Sequence, residues 1–161
     1  ATGSGLIERI PPTDLGLGVN LPPLTSLPRK LRTLLGSAYD QFNRSHWREG
    51  FEDACQAFEN EARRYLKAGI KTRIKFVTSK GPKTYTDKQI DRLTMGQLAT
   101  AFSQIHSQNR SDAIVGHALS HINPDRVGVV HHKSKATTEK RLRTNVGQNM
   151  SIIIAAMKEM L

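Results

Sequence analysis

Beyond residue 28, apolar residues return at three- and four-residue steps in one stretch after another, and that spacing restricts the chain to packed helices. Leu31, Leu34, Leu35, Ala38, Tyr39 and Phe42 predict a first helix over 29–43. Phe51, Ala54, Cys55, Phe58, Ala62, Tyr65 and Leu66 form the buried stripe of a second, with Ser45 as its N-cap, an end near Ala68 and Gly69 just past it. Thr94-Met95-Gly96-Gln97 has capping-box spacing and opens a third, with Met95, Leu98, Ala101, Phe102 and Ile105 inward. Ser111 caps a fourth that carries Ile114, Val115, Ala118, Leu119 and Ile122, and Asn123-Pro124 either stops it or kinks it into a fresh turn. Lys133–Thr137 reads as a connector and Thr138 as the cap of a last helix, with Leu142, Val146, Met150, Ile153, Ala156, Met157 and Met160 inward. Ile152 and Ile154 widen that apolar face and point to a second packing partner such as another protomer.

Two stretches break the helical period. Five of the seven prolines (Pro11, Pro12, Pro22, Pro23 and Pro28) fall in residues 1–28. Proline removes donors and fixes the backbone, so this stretch reads as an extended arm or linker ahead of one helical domain at 29–161. Ala1-Thr2-Gly3-Ser4-Gly5 lacks an initiator Met and reads as a cloning scar, and the chain as an excised domain of a larger protein or a trimmed form of one. Ile74, Phe76, Thr78 and Thr84, Tyr85, Thr86 flank Ser79-Lys80-Gly81-Pro82-Lys83, a short hairpin or a basic loop that orders on RNA. The expected class is therefore an all-α bundle of four to five helices with a short β-hairpin insertion at about 72–87.

The chain carries a net charge of +10 and a pI near 10.1. Residues 71–92 hold seven Lys/Arg against Asp87 and Asp91, and residues 126–143 hold six against Glu139 alone. Clustering of this kind favours a polyanionic partner over mere solubility. Cys55 is the only cysteine, which excludes an internal disulfide and a four-cysteine zinc site and suits a reducing cytoplasm, or the nucleus in a eukaryote. On an apolar helix face it is read as an inert buried thiol. No run of about 18 apolar residues is present, so no membrane span is expected.

The second basic cluster contains Asn123-Pro124-Asp125-Arg126-Val127-Gly128-Val129-Val130-His131-His132. Arginine offers a permanent forked donor face for phosphate. Histidine exchanges a proton near neutral pH. RNA carries its own nucleophile in the 2′-hydroxyl. An imidazole that moves a proton and a guanidinium on the charged transition state would cut RNA without a metal or cofactor, leaving a 2′,3′-cyclic phosphate and a 5′-hydroxyl. DNA, lacking the hydroxyl, should resist.

The helix with Tyr39 and Phe42, the acid-rich helix with Glu59-Asn60-Glu61, the Leu93-Thr94-Met95-Gly96-Gln97-Leu98 turn and an Arg126-x4-His131 motif before a terminal helix together resemble the HEPN superfamily of small helical-bundle domains, over roughly residues 28–161. The resemblance implies a metal-independent endoribonuclease whose composite site sets the Arg and His of two protomers face to face. It implies that Arg126 binds the scissile phosphate and that His131 acts as general acid/base, with His132 also at an allowed spacing. Val127 stands where the family often has Asn, Asp or His, and Asp125 lies on the other side of the arginine. A catalytically silent module that binds nucleic acid or a partner, or dimerises a larger protein with further domains, is the alternative.

Lys133, Lys135, Lys140, Arg141 and Arg143, with Lys80, Lys83 and Tyr85 of the other basic segment, are the expected RNA contacts, Tyr85 by stacking on a base. His117 and His121 stand four apart, a spacing that can bind metal, but no third ligand is evident and they read as surface or interface histidines. His46 and His106 read as helix-end residues, and Trp47 as packing at the start of the second helix. Glu49, Glu52, Asp53, Glu59 and Glu61 read as a solvated helix face. Asn145 and Asn149 face the same way as Leu142, toward the site, a dimer or solvent.

Overall fold

The structure, a computed structural model, describes residues 20–130 and 135–161, leaving aside the side chains of 130 and 135–138. These residues are predominantly helical. They form α1 (Arg29–Asn43), α2 (Trp47–Ile70), β1 (Phe76–Thr78), β2 (Gly81–Lys83), α3 (Asp87–Asp91), α4 (Met95–Ser103), α5 (Arg110–Val130) and α6 (Lys135–Glu159), preceded by a 3-10 turn at Leu24–Ser26.

The long helix α2 is the centre of the bundle, touching α1, α3, α4, α5 and α6. Its stripe of Phe51, Ala54, Cys55, Phe58, Ala62 and Leu66 is buried, as are Leu31, Leu35, Ala38, Tyr39 and Phe42 of α1. Contacts along the helices fix their directions. Tyr65 near the end of α2 meets Asp112 near the start of α5, while Arg48 near the start of α2 donates to the carbonyl of Val129 at the end of α5. The two helices therefore run in opposite senses. Ser111 donates to Glu159, and Asn149 donates to Asp125, so α6 runs back along α5. Ile154 is buried and Ile152 half-buried against the same core, so the broad apolar face of α6 is covered within the chain by α2 and α5 rather than left for another protomer.

Several helix ends differ from expectation. Ser45 lies in the left-handed region with φ 62° and does not cap α2; His46 occupies the N-cap position, its Nδ1 2.8 Å from Gln41 Oε1. Gly69 sits inside α2, which runs on to Ile70. A Cβ there would lie 2.4 Å from Ile74 Cδ1, so the glycine lets the chain double back onto the helix. Asn109, not Ser111, caps α5: its Oδ1 accepts from Asp112 N, and its own N donates to Asp112 Oδ2. Residues 135–137 belong to α6, which starts before Thr138. The Thr94–Gln97 capping box is present, and a second, Thr86–Gln89, opens the short helix α3 that periodicity did not reveal.

The hairpin expected at 72–87 is confined to two three-residue strands, with Phe76 opposite Lys83 and Thr78 opposite Gly81. It is tied to the bundle on two sides. Val77 N donates to Gln104 O and His106 N to Lys75 O. Arg73, at its base, makes two 2.8 Å bonds to the fully buried carboxylate of Asp112. Burial alone would raise the Asp112 pKa, but bonds from Arg73, the Asn109 backbone and Tyr65 outweigh it and hold the carboxyl below its ordinary value. The described part of the arm also packs: Leu27 is in the core, and the Tyr39 hydroxyl donates to the carbonyl of Pro22.

Candidate functional site

Pro124 lies inside α5 and does not end it. Proline lacks the N–H that would bond one turn back, so a stop or a kink is the ordinary outcome. Here the helix continues to Val130, carried by the burial of Ile122 and Val129 on either side. Arg126 therefore sits on a helix, about 6 Å of rise before Val130.

Its guanidinium is half-buried and turned inward. Arg126 Nε donates to Glu59 Oε2 at 3.1 Å, and the other oxygen of that carboxylate accepts from Arg63 Nη2, also at 3.1 Å. The Glu59 side chain is only 6% exposed, against 18% for Arg126 and 14% for Arg63. Arg63 also donates to Leu93 O and Asn60 Oδ1, while its Nε is buried without a partner. Two arginines thus share one buried carboxylate, an arrangement that costs desolvation and is not the cheapest way to fill a core. A Cβ at Gly96 would come within 3.1 Å of Asn123 Nδ2, so the glycine eases the approach of the first turn of α4 to α5.

A second pair flanks the first. Asp125 accepts from Arg141 Nε and, at 3.2 Å, from Asn149 Nδ2, joining α5 to α6. Beneath both pairs, burial pushes the Cys55 thiol far above its ordinary pKa; the nearby Arg126 opposes the shift, and Glu59, Asp125 and Glu52 add to it. A thiol so placed is neither nucleophile nor redox sensor.

Glu59 and Glu61, read from sequence as solvated, are buried and paired, Glu61 with Arg64 and Lys30. Periodicity could not separate them from Glu49, because one turn of helix carries both the buried edge and the solvated face. The available signal was Arg63, four residues after Glu59 on the same side. Asn149 is likewise buried and bonds within the chain. His131, His132 and Lys133 lie outside the described residues, as does the side chain of Lys135. Of the other expected contacts, Lys140 and Arg141 are exposed on α6, Arg141 held by Asp125, and Arg143 is half-buried there. Lys80, Lys83 and Tyr85 sit on or beside the hairpin, more than a helical turn beyond the Glu59–Arg126 pair along α2. His117 and His121 are exposed, and among the described residues no cluster of His, Cys, Asp and Glu could hold a metal ion. No helix among them is long and apolar enough to cross a membrane. No family model, curated protein or solved structure matches the chain.

Proposed function

We propose that this chain is a metal-independent endoribonuclease domain of HEPN type, acting as a homodimer, with Arg126 on the scissile phosphate and His131 or His132 as general acid/base. The observation that carries the reading is the orientation of Arg126. Glu59, itself braced by Arg63, grips the guanidinium through Nε alone. Its two amino ends have no partner among the described residues. A fork held at Nε alone keeps its two amino ends as donors for a phosphate, and fixing it in advance removes the cost of ordering it during reaction. α5 runs on to Val130, four residues after Arg126 and the residue before His131 in the sequence.

The surface of α5 supports pairing of two copies. His117, Ser120, His121, Pro124 and Val127 are its exposed residues between Asp112 and Val130, and none is Asp, Glu, Lys or Arg. On a molecule of net charge +10, such a face is where a second copy meets least repulsion, and interface centres are poor in charge. Exposed Val127, at the position where a polar residue is frequent in HEPN motifs, favours the second reading, a silent module that binds RNA or a partner.

Cleavage of end-labelled RNA in excess EDTA separates the two. The nuclease reading expects turnover by the wild-type chain and a fall of about 10²-fold or more in Arg126→Ala and in His131→Ala or His132→Ala, with circular dichroism unchanged. RNA binding without cleavage would leave the module.

A further inference from the structure

A shallow cavity of about 120 Å³ lies between the hairpin and the end of α2, far from Arg126. Ile70, Ile74, Phe76 and Tyr85 line its apolar part, and the exposed Lys75 and Lys83 stand at its rim. We propose that this notch binds one unstacked nucleotide of single-stranded RNA, its base against Tyr85 and its phosphate between Lys75 and Lys83. The proposal rests on RNA being the substrate and names a contact outside the cleavage site.

The chemistry of the notch selects that occupant. Tyr85 packs edge-on against Phe76, centroids 4.8 Å apart, which fixes the ring. Lys83 Nζ lies 4.7 Å from the centre of the same ring. An ammonium at an exposed site gains little from a ring face, whereas an aromatic base gains more from stacking there. A base arriving on Tyr85 would displace the ammonium toward the phosphate that accompanies it. Among the described residues, neither Lys75, Lys80 nor Lys83 has an ion-pair partner, whereas Arg73 is neutralised by Asp112 and Lys67 by Asp91. The positive charge at the rim is therefore uncompensated. A base inside a duplex has both faces stacked and could not enter, so the partner is single-stranded.

The hairpin is also ordered before binding. Its backbone bonds to Gln104 and Lys75–His106 and the Arg73–Asp112 pair hold it on the bundle. Ile70 lies eleven residues beyond Glu59 on α2, about 16 Å of rise, so the nucleotide held here sits several positions from the one that Arg126 engages.

Fluorescence anisotropy of a short labelled single-stranded RNA, titrated with the full chain at several salt concentrations, tests the notch. The double variant Lys75→Ala/Lys83→Ala is expected to bind about tenfold more weakly, with the slope of log K against log salt shallower by about 0.7, the contribution of the one single-strand phosphate that the two lysines neutralise. Tyr85→Ala is expected to weaken binding about tenfold with the slope unchanged, and Tyr85→Phe, which keeps the ring and the fold, to bind as the wild type does. Wild-type affinity and slope in the lysine variant, or weakening by Tyr85→Phe equal to that of Tyr85→Ala, would overturn the proposal. If the wild type binds RNA and the variants are unaffected, the notch fails and the nuclease reading stands; if the wild type binds no RNA, both fail.

Discussion

Glu59 is the residue on which the Arg126 region depends most. Glu59→Gln leaves two mostly buried guanidinium groups facing a neutral amide. Breaking one side of a buried pair costs about 3–5 kcal/mol, and because both arginines keep some solvent the lower figure applies, about 3 kcal/mol or a fall in Tm of roughly 6–12 °C. Thermal unfolding checks this, and a fall of under a degree would show that the pair is not a bracing contact. Asp112 gives a pH-dependent prediction. Its carboxyl is held below the ordinary value of 3.8, so the stability it contributes is present above that value and disappears as pH falls through the lower, folded-state value. Asp112→Asn should therefore lower Tm at neutral pH, and the difference from wild type should shrink steadily as pH falls below about 4. A difference that stays constant down to pH 2 would contradict the assignment. Residue pairs of this kind are hardly legible in sequence: Glu59 and Arg126 are separated by 67 positions, and nothing in an alternation of apolar and charged residues says which carboxylate will meet which arginine.

Elements were legible where a local signal was complete. Thr94 and Gln97 bond reciprocally as their spacing requires, and Thr94→Ala should cost about 1 kcal/mol, read as a shift in the denaturation midpoint without a change in its slope. Signals that were only half local did not decide the outcome. Asn123-Pro124 left open a stop or a continuation, and burial of Ile122 and Val129 carries α5 through it, tertiary packing deciding what propensity could not. Gly69 resembles a helix terminator but serves a close approach instead. Gly69→Ala would press its new methyl on Ile74, a core residue 2% exposed at the base of the hairpin. The substitution is expected to lower Tm and to weaken RNA binding, because the hairpin that carries Tyr85 and Lys83 begins just beyond Ile74. Wild-type RNA affinity in Gly69→Ala would show that the hairpin is positioned independently of this turn.

For the whole molecule, the helical class and most of the inward stripes of α1, α2, α4, α5 and α6 followed from periodicity, since burial of a stripe is what makes a helix stable, while Leu34, Tyr65 and Ile114 of the expected stripes are only half-buried. How α2, α5 and α6 run against one another did not follow, because many pairings bury the same stripes; polar contacts such as Asp125 with Asn149 and Ser111 with Glu159 distinguish them. Pairing of two copies across the uncharged face of α5 predicts that Ser120→Glu shifts the chain toward monomer in sedimentation experiments. An unchanged distribution would place the pairing face elsewhere. RNA cleavage without a metal by Arg126 and His131 or His132 is the proposal on which the rest turns. The most direct measurement is the chemistry of the ends produced when RNA is incubated with the chain in excess EDTA. The expected products are 2′,3′-cyclic phosphate and 5′-hydroxyl ends that disappear with Arg126→Ala. Intact RNA, ends bearing a 5′-phosphate, or cleavage that survives Arg126→Ala would contradict it.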